Sequence, residues 1–112
     1  MADSSHDWVN EKSVRKLREL QPEAFEKFLE FEQAVYRPGK LSTKMKELIA
    51  IAVTHVTQCD ACIGVHTRNA KACGASDEEI AEAVFVAMEL RAGAALGHFK
   101  TAARILEQHN HD

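Results

Sequence analysis

Apolar residues recur at steps of three and four along most of the 112-residue chain, and no stretch alternates convincingly between apolar and polar positions beside turn signals. Because this spacing is typical of amphipathic helices, the sequence predicts an all-α protein, a compact bundle of about five to six helices. We interpret residues 1–112 as one domain, since the length suits a single core and no linker, repeat or low-complexity segment divides it.

Turn and capping residues mark the first helices. The first is predicted over roughly residues 10–20, and Pro22 then suits the first turn of a second helix. The Arg-Pro-Gly run at 37–39 ends that helix, because proline disfavours helical geometry before it. Ser42 or Thr43 can cap a third helix reaching about residue 56, and its apolar run at 48–53 predicts a central, buried element.

The second half of the chain contains the clearest helix start. A fourth helix is predicted to begin between Thr57 and Asp60 and to end at Gly74. The run 76–79 is a capping box that opens a fifth helix. We expect Gly93 and Gly97 to interrupt or thin the helical pattern before a last helical stretch, and the polar tail at 108–112 to fray. The residues expected to be buried by the fifth helix are Ile80, Val84, Ala87 and Met88.

Charge and hydropathy narrow the function. The formal net charge is −3 without a basic stripe, which argues against a nucleic-acid partner. Residues 1–6 have neither a basic nor an apolar region, which argues against secretion, and the apolar run at 48–53 is too short to span a membrane. We therefore expect a cytoplasmic protein, in which a Cys-x-x-Cys pair is more often catalytic, redox-sensing or metal-binding than a permanent crosslink.

Cys59, Cys62 and His66 are the main candidates for chemistry. On a helix their spacing places all three side chains on one stripe. The helix N-terminus would favour a thiolate at the cysteines, whose sulfurs are close enough to form a disulfide with modest local adjustment. His66, one turn after Cys62, could exchange a proton with its sulfur.

Glu47 is a further candidate, since it lies at the start of an apolar run that is expected to be buried, and a buried carboxylate is costly unless it has a partner. If the third and fourth helices form an antiparallel pair turning near residues 57–58, Glu47 lies roughly 15 Å and His66 roughly 12 Å from the turn along their helices. The two side chains could then face each other, and Glu47 could relay protons.

The remaining cysteine and histidines are not expected to take part in the site. Cys73 lies ~16 Å beyond Cys62 along a helix, farther than the ~7 Å Cα limit for a disulfide, so we expect a small buried residue. His55 is more plausibly structural than part of the site. Four further histidines form no interpretable pattern: His6, His98, His109 and His111.

Glu47, the Cys59-Asp60-Ala61-Cys62 run and His66, followed by an alanine-rich helical stretch, resemble the carboxymuconolactone decarboxylase family. The similarity covers roughly residues 20–106 and is greatest to the alkylhydroperoxidase D-like branch, which keeps both cysteines. It implies an all-helical fold, assembly into trimers or hexamers, and thiol-dependent reduction of hydroperoxides. Ala61 departs from the pattern, since the best-studied type has a further histidine between its cysteines.

The resemblance also implies roles for the site residues. Cys62 would attack the peroxide, Cys59 would resolve the product to a redox-active disulfide, and Glu47 and His66 would relay protons. A dithiol reductant protein or a small thiol would then regenerate the enzyme, with no cofactor besides the disulfide. Lactone decarboxylation is disfavoured, because true decarboxylases of the family generally lack the cysteine pair.

Alternatives remain open from the residues alone. The helix-terminus argument by itself makes Cys59 the more acidic thiol, whereas the adjacent His66 and the resemblance both favour Cys62 as the nucleophile. The cluster could instead bind zinc, with Glu47 or His55 as a fourth ligand. A non-enzymatic redox sensor is the third hypothesis.

Overall fold

The computed structural model describes residues 7–111, and the structural statements below refer to that range. A short 3-10 helix (Asp7–Asn10) precedes five α-helices, and the described residues include no β-strand. The all-α prediction is therefore confirmed. The helices are α1 (Lys12–Leu20), α2 (Pro22–Tyr36), α3 (Thr43–Thr57), α4 (Asp60–Ala72) and α5 (Asp77–His111).

Three of the predicted helix boundaries are confirmed by the backbone. Ser42 is the N-cap of α3, and its hydroxyl accepts a hydrogen bond from the Met45 N–H at 3.1 Å. Ser76 and Glu79 form the capping box before α5: each backbone N–H donates to the other's side chain, at 2.9 and 3.0 Å. Gly74 follows α4 with a φ of +92°, a conformation that favours glycine.

Helix α3 is the centre of the fold, as its apolar run predicts. It packs against α4 on one side and against the first part of α5 on the other. Ile51 is completely buried, and Leu48 packs with it against Ala70 and Ala75. Three partly buried residues of α5 close this core: Ile80, Ala83 and Val84. Since α3 is held from two sides, the position of its polar residues is well defined.

Helix α5 differs from the prediction. It is one uninterrupted helix of 35 residues that includes Gly93 and Gly97 and continues to His111, so neither the interruption nor the frayed tail is found. A glycine inside a helix costs only about 1 kcal/mol relative to alanine, too little to break a long helix of good helix formers. Met88 is 54% exposed rather than buried, whereas Ala87 is buried as expected.

The far part of α5 makes the molecule elongated. The radius of gyration is 19.4 Å, whereas a compact domain of this length would have roughly 13 Å. Every residue of α5 from Met88 to His111 except Ala103 is exposed, although the stretch contains many apolar side chains. Within the described chain, no helix has the length and apolar character needed to cross a membrane.

Candidate active site

The cysteine pair lies at the turn between α3 and α4. Gln58 ends α3 in a left-handed conformation (φ 60°), and the Cys59 N–H donates to the Thr54 carbonyl at 3.2 Å. Cys59 is the N-cap of α4, where its Sγ accepts a hydrogen bond from the Cys62 N–H at 3.3 Å. The two sulfurs form a disulfide, with Cα atoms 5.3 Å apart. The N-terminus of α4 therefore supplies a backbone donor to the Cys59 sulfur.

A buried carboxylate faces this helix from α3. Only 3% of Glu47 is exposed, and its Oε2 accepts a hydrogen bond from His66 Nδ1–H at 2.7 Å. The antiparallel pairing predicted from the two distances to the turn thus brings these side chains together. With Nδ1 engaged by Glu47, Nε2 is the imidazole nitrogen left for another partner.

Asn69 completes the surroundings of Glu47, and sequence reasoning missed it. Its buried Nδ2–H donates to Glu47 Oε1 at 3.4 Å, so both carboxylate oxygens have a partner. The signal was present in the sequence, because Asn69 continues the spacing of Cys59, Cys62 and His66 along one face of α4.

Tyr36, the last residue of α2, is a second site residue that the sequence analysis missed. Its ring stacks on the His66 imidazole, with centroids 5.3 Å apart and planes inclined by 26°. Burial raises the pKa of the Tyr36 hydroxyl, and the carboxylates of Glu47 and Glu32 raise it further. The phenol therefore stays protonated beside the imidazole. No spacing rule indicates this contact, because α2 and α4 meet only through the tertiary fold.

The site opens into a cavity of about 690 Å³ between α4, α2 and the N-terminal helices. Cys62, His66 and Tyr36 line it, whereas Cys59 is not among its lining residues. Helix α2 contributes the apolar residues Phe28, Phe31 and Val35 to the wall, together with the carboxylate of Glu32. A small molecule in this cavity would reach Cys62 before it reached Cys59, which agrees with the preference for Cys62 as the nucleophile.

The other cysteine and histidines lie apart from this arrangement. Cys73 is exposed at the C-terminus of α4, so the expectation that it is buried is wrong. His55 Nδ1–H donates to the Ile51 carbonyl at 2.7 Å within its own helix, which fits the structural role assigned to it. His98, His109 and His111 lie exposed on α5, and His6 lies outside the described residues.

The zinc hypothesis has no assembled ligand set in this form of the protein. Among residues 7–111, no three His, Cys, Asp or Glu side chains are grouped so that they could hold a metal ion. The two sulfurs are bonded to each other, and Glu47 is hydrogen-bonded to His66.

Comparison with known proteins agrees with the fold and site. Residues 22–105 match the profile of the carboxymuconolactone decarboxylase family, and the chain belongs to that family. The match includes α2, α3, α4 and most of α5, and therefore all four predicted site residues.

Three relatives illustrate the similarity. Uncharacterized protein 4 in the cox locus of Paracoccus denitrificans is 46% identical over 81 residues, which cover 72% of this chain and 73% of the relative. A crystal structure from Methanobacterium thermoautotrophicum has a TM-score of 0.72 and 38% identity, covering 76% of this chain and 96% of that one. A family member from Thermotoga maritima is a candidate for a role in the antioxidative response. Its structure has a TM-score of 0.58 and 39% identity, and the match covers 76% of this chain and 88% of that one.

The titration of Tyr36 tests the electrostatics of the site directly, because the chain has a single tyrosine. We expect its phenolate absorbance to appear with a midpoint above the usual 10.0, since burial and the nearby carboxylates disfavour the anion. The raised pKa of Tyr36 also contributes to the free energy of unfolding. This contribution is fully present below pH 10.0 and is lost as the pH rises through the higher pKa of the folded state. Spectrophotometric titration of native and urea-unfolded protein measures both values.

Two matched variants test whether Glu47 raises the pKa of Tyr36. Glu47→Gln should lower the midpoint of Tyr36, because it removes the larger of the two carboxylate contributions. Glu89→Gln, on the exposed part of α5, should leave it unchanged. A native midpoint at or below that of the unfolded chain would contradict this description of the site.

Proposed function

We propose that the protein is a thiol-dependent peroxidase that reduces hydroperoxides through Cys59 and Cys62, with Glu47 and His66 relaying protons. The observation that carries the proposal is the cavity in which Cys62 and His66 lie side by side, with the imidazole held by a buried carboxylate. This arrangement offers a nucleophile, a proton donor and an orienting group in the order that such chemistry needs.

In the first step the Cys62 thiolate attacks the terminal oxygen of a hydroperoxide, ROOH. The O–O bond breaks as the S–O bond forms, so sulfur is oxidised and the peroxide is reduced. The proton released when the Cys62 thiol becomes a thiolate is held by His66 Nε2. It passes to the alkoxide, which departs as the alcohol ROH, while Cys62 becomes a sulfenic acid. Glu47 stabilises the imidazole in the orientation required for this transfer.

In the second step the Cys59 thiolate attacks the sulfenic sulfur, and the hydroxyl leaves as water once it has received a proton. The product is the Cys59–Cys62 disulfide, the state found in the structure. A dithiol reductant protein, or two molecules of a small thiol, returns both cysteines to thiols and is oxidised to a disulfide. No metal or organic cofactor enters the cycle.

Several observations support this function over lactone decarboxylation. The Cys-x-x-Cys pair gives the site two redox-active groups, and the relative from Thermotoga maritima is a candidate for a role in the antioxidative response. Regeneration by dithiols requires a reducing compartment, and we propose the cytoplasm.

Trapping of the sulfur intermediates tests the mechanism. After one equivalent of an organic hydroperoxide, we expect reduced wild-type protein to contain a Cys59–Cys62 disulfide. In Cys59→Ser the Cys62 sulfenic acid should persist and react with a dimedone-type reagent, whereas Cys62→Ser should give no adduct. Mass spectrometry of tryptic peptides distinguishes these species.

Cys73→Ser is the matched control, since this cysteine is exposed and lies outside the cavity. It should behave as the wild type. An adduct on Cys59 in Cys62→Ser would reverse the two roles. Thiols that remain reduced in every variant would refute the peroxidase proposal.

Removal of the proton relay should slow the reaction without preventing binding. We expect His66→Ala to lower the rate of Cys62 oxidation by about a hundredfold, the usual magnitude for loss of a general acid. Glu47→Gln should have a smaller effect, because the imidazole remains but is oriented less well. Stopped-flow measurement of thiol loss gives these rates.

His55→Ala is the control for the relay, since this histidine donates within its own helix and does not line the cavity. It should leave the oxidation rate near that of the wild type. Equal effects of His55→Ala and His66→Ala would refute a specific role for His66.

We further propose that the protein self-associates through α5, in trimers or hexamers. Apolar side chains on this helix follow steps of three and four through Phe85, Met88, Leu96, Phe99 and Leu106, with Ala92 and Ala103 between them. All five large side chains are more than half exposed, and the buried core of one chain is small. An apolar stripe of this length is typical of an interface between subunits.

A charged residue in this stripe should prevent assembly. Leu96 is 76% exposed, so Leu96→Glu would not disturb the fold of one chain but would place a charge in the proposed interface. We expect light scattering to give a multiple of 12.5 kDa for the wild type and a smaller species for the variant. Leu20→Glu, at a similarly exposed position of α1, should leave the assembly intact. A monomeric wild type would contradict the proposal.

A further inference from the structure

Residues 7–20, here called the N-terminal segment, lie outside the family match at 22–105 but contribute to the cavity of the redox site. The segment consists of the 3-10 helix and α1. Trp8, Glu11 and Val14 form the cavity wall that faces Cys62 and His66. Residues outside the matched range thus contribute to the cavity in which a substrate would bind.

Aromatic contacts hold this segment against α2. The centroid of the Trp8 ring lies 6.0 Å from that of Phe25, with the two planes tilted. It lies 6.3 Å from the centroid of Phe28, in an edge-to-face arrangement. The Arg18 guanidinium lies over Phe25 at 5.7 Å and forms an ion pair with Glu26. Phe25 is 7% exposed, so its burial fixes the segment at both ends.

The cavity is apolar over most of its wall, and its charged residues are mainly acidic. Aromatic and aliphatic side chains from the segment and from α2 would be in contact with any molecule that fills it. The charged lining residues are three acids and one arginine: Glu11, Glu32, Asp60 and Arg68. An uncharged apolar molecule gains from such walls, whereas a carboxylate would be repelled.

We propose that the N-terminal segment determines the specificity of the redox site: Trp8 and Val14 select uncharged apolar compounds, and Glu11 disfavours anions. The inference deepens the proposed peroxidase function by naming the class of hydroperoxide the site accepts. Trp8 is a specificity-determining residue in this scheme, because it contacts the substrate body rather than the peroxide group.

The selectivity of Cys62 towards alkylating reagents tests the proposal without peroxide chemistry. Cys59→Ser and Cys73→Ser together leave Cys62 as the single thiol of the chain. N-phenylmaleimide and N-methylmaleimide carry the same reactive group and differ in one apolar ring. The ratio of their rates on the protein, divided by the ratio on free glutathione, measures apolar selectivity at Cys62.

Trp8→Ala should lower this ratio about fivefold, because the phenyl ring loses an apolar partner. Val14→Ala should lower it about twofold, and Trp8→Phe should retain most of it. Leu17→Ala is the matched control, since Leu17 belongs to the same segment but does not line the cavity. An unchanged or higher ratio in Trp8→Ala, or an equal fall in Leu17→Ala, would overturn the assignment.

Iodoacetate and iodoacetamide test the charge of the wall, since they differ mainly by one negative charge. Glu11→Gln should raise the rate ratio of iodoacetate to iodoacetamide about twofold, as expected for removal of one nearby charge in a solvated site. Glu19→Gln is the control, because this carboxylate belongs to the same N-terminal segment and lies outside the cavity. No change in Glu11→Gln, or equal changes in both variants, would overturn the role of Glu11.

These readouts separate the specificity proposal from the proposed function. If alkylation shows the expected selectivity but no hydroperoxide oxidises Cys62, the peroxidase function fails and the binding cavity remains. If Trp8→Ala changes neither the rate at which hydroperoxides oxidise Cys62 nor the alkylation ratio, the peroxidase function stands and the specificity proposal fails.

Discussion

The hydrogen bond between Glu47 and His66 is the constraint on which the rest of the site depends. A carboxylate that is only 3% exposed is costly to remove from water, and the cost is offset here by donors from His66 and Asn69. Both donors come from α4, whereas the acceptor lies on α3. A shift of α4 by one residue would leave the carboxylate without these partners, so the pair also defines how the two helices align.

This alignment differentiates the two cysteines. Cys59 ends the turn and caps α4, where its sulfur accepts a hydrogen bond from the backbone N–H of Cys62. Cys62 lies inside the helix, one turn before the imidazole, and lines the cavity. The helix terminus and the histidine gave opposite assignments of the nucleophile from sequence alone. The cavity favours Cys62, because Cys62 lines it and Cys59 does not.

Local signals were sufficient for most of the fold and for part of the site. Ser42, Pro22 and the capping box at 76–79 define helix starts through contacts with their own neighbours, which spacing can predict. The approach of Glu47 to His66 could be predicted because the turn between their helices is short. Tyr36 could not, since its stacking on His66 depends on how α2 packs against α4. The exposure of Cys73 and the continuity of α5 through Gly93 also depend on tertiary surroundings rather than on local propensity.

The long helix α5 connects the site to the proposed assembly. Its first turns pack on the face of α3 that carries Leu48 and Ile51, next in sequence to Glu47. Helix α3 is therefore held between α4, which supplies the partners of Glu47, and α5, whose remaining length is exposed. If other copies of the chain cover the exposed stripe, as proposed, each subunit gains apolar burial that its own small core does not provide. Assembly would then stabilise the element that holds the buried carboxylate.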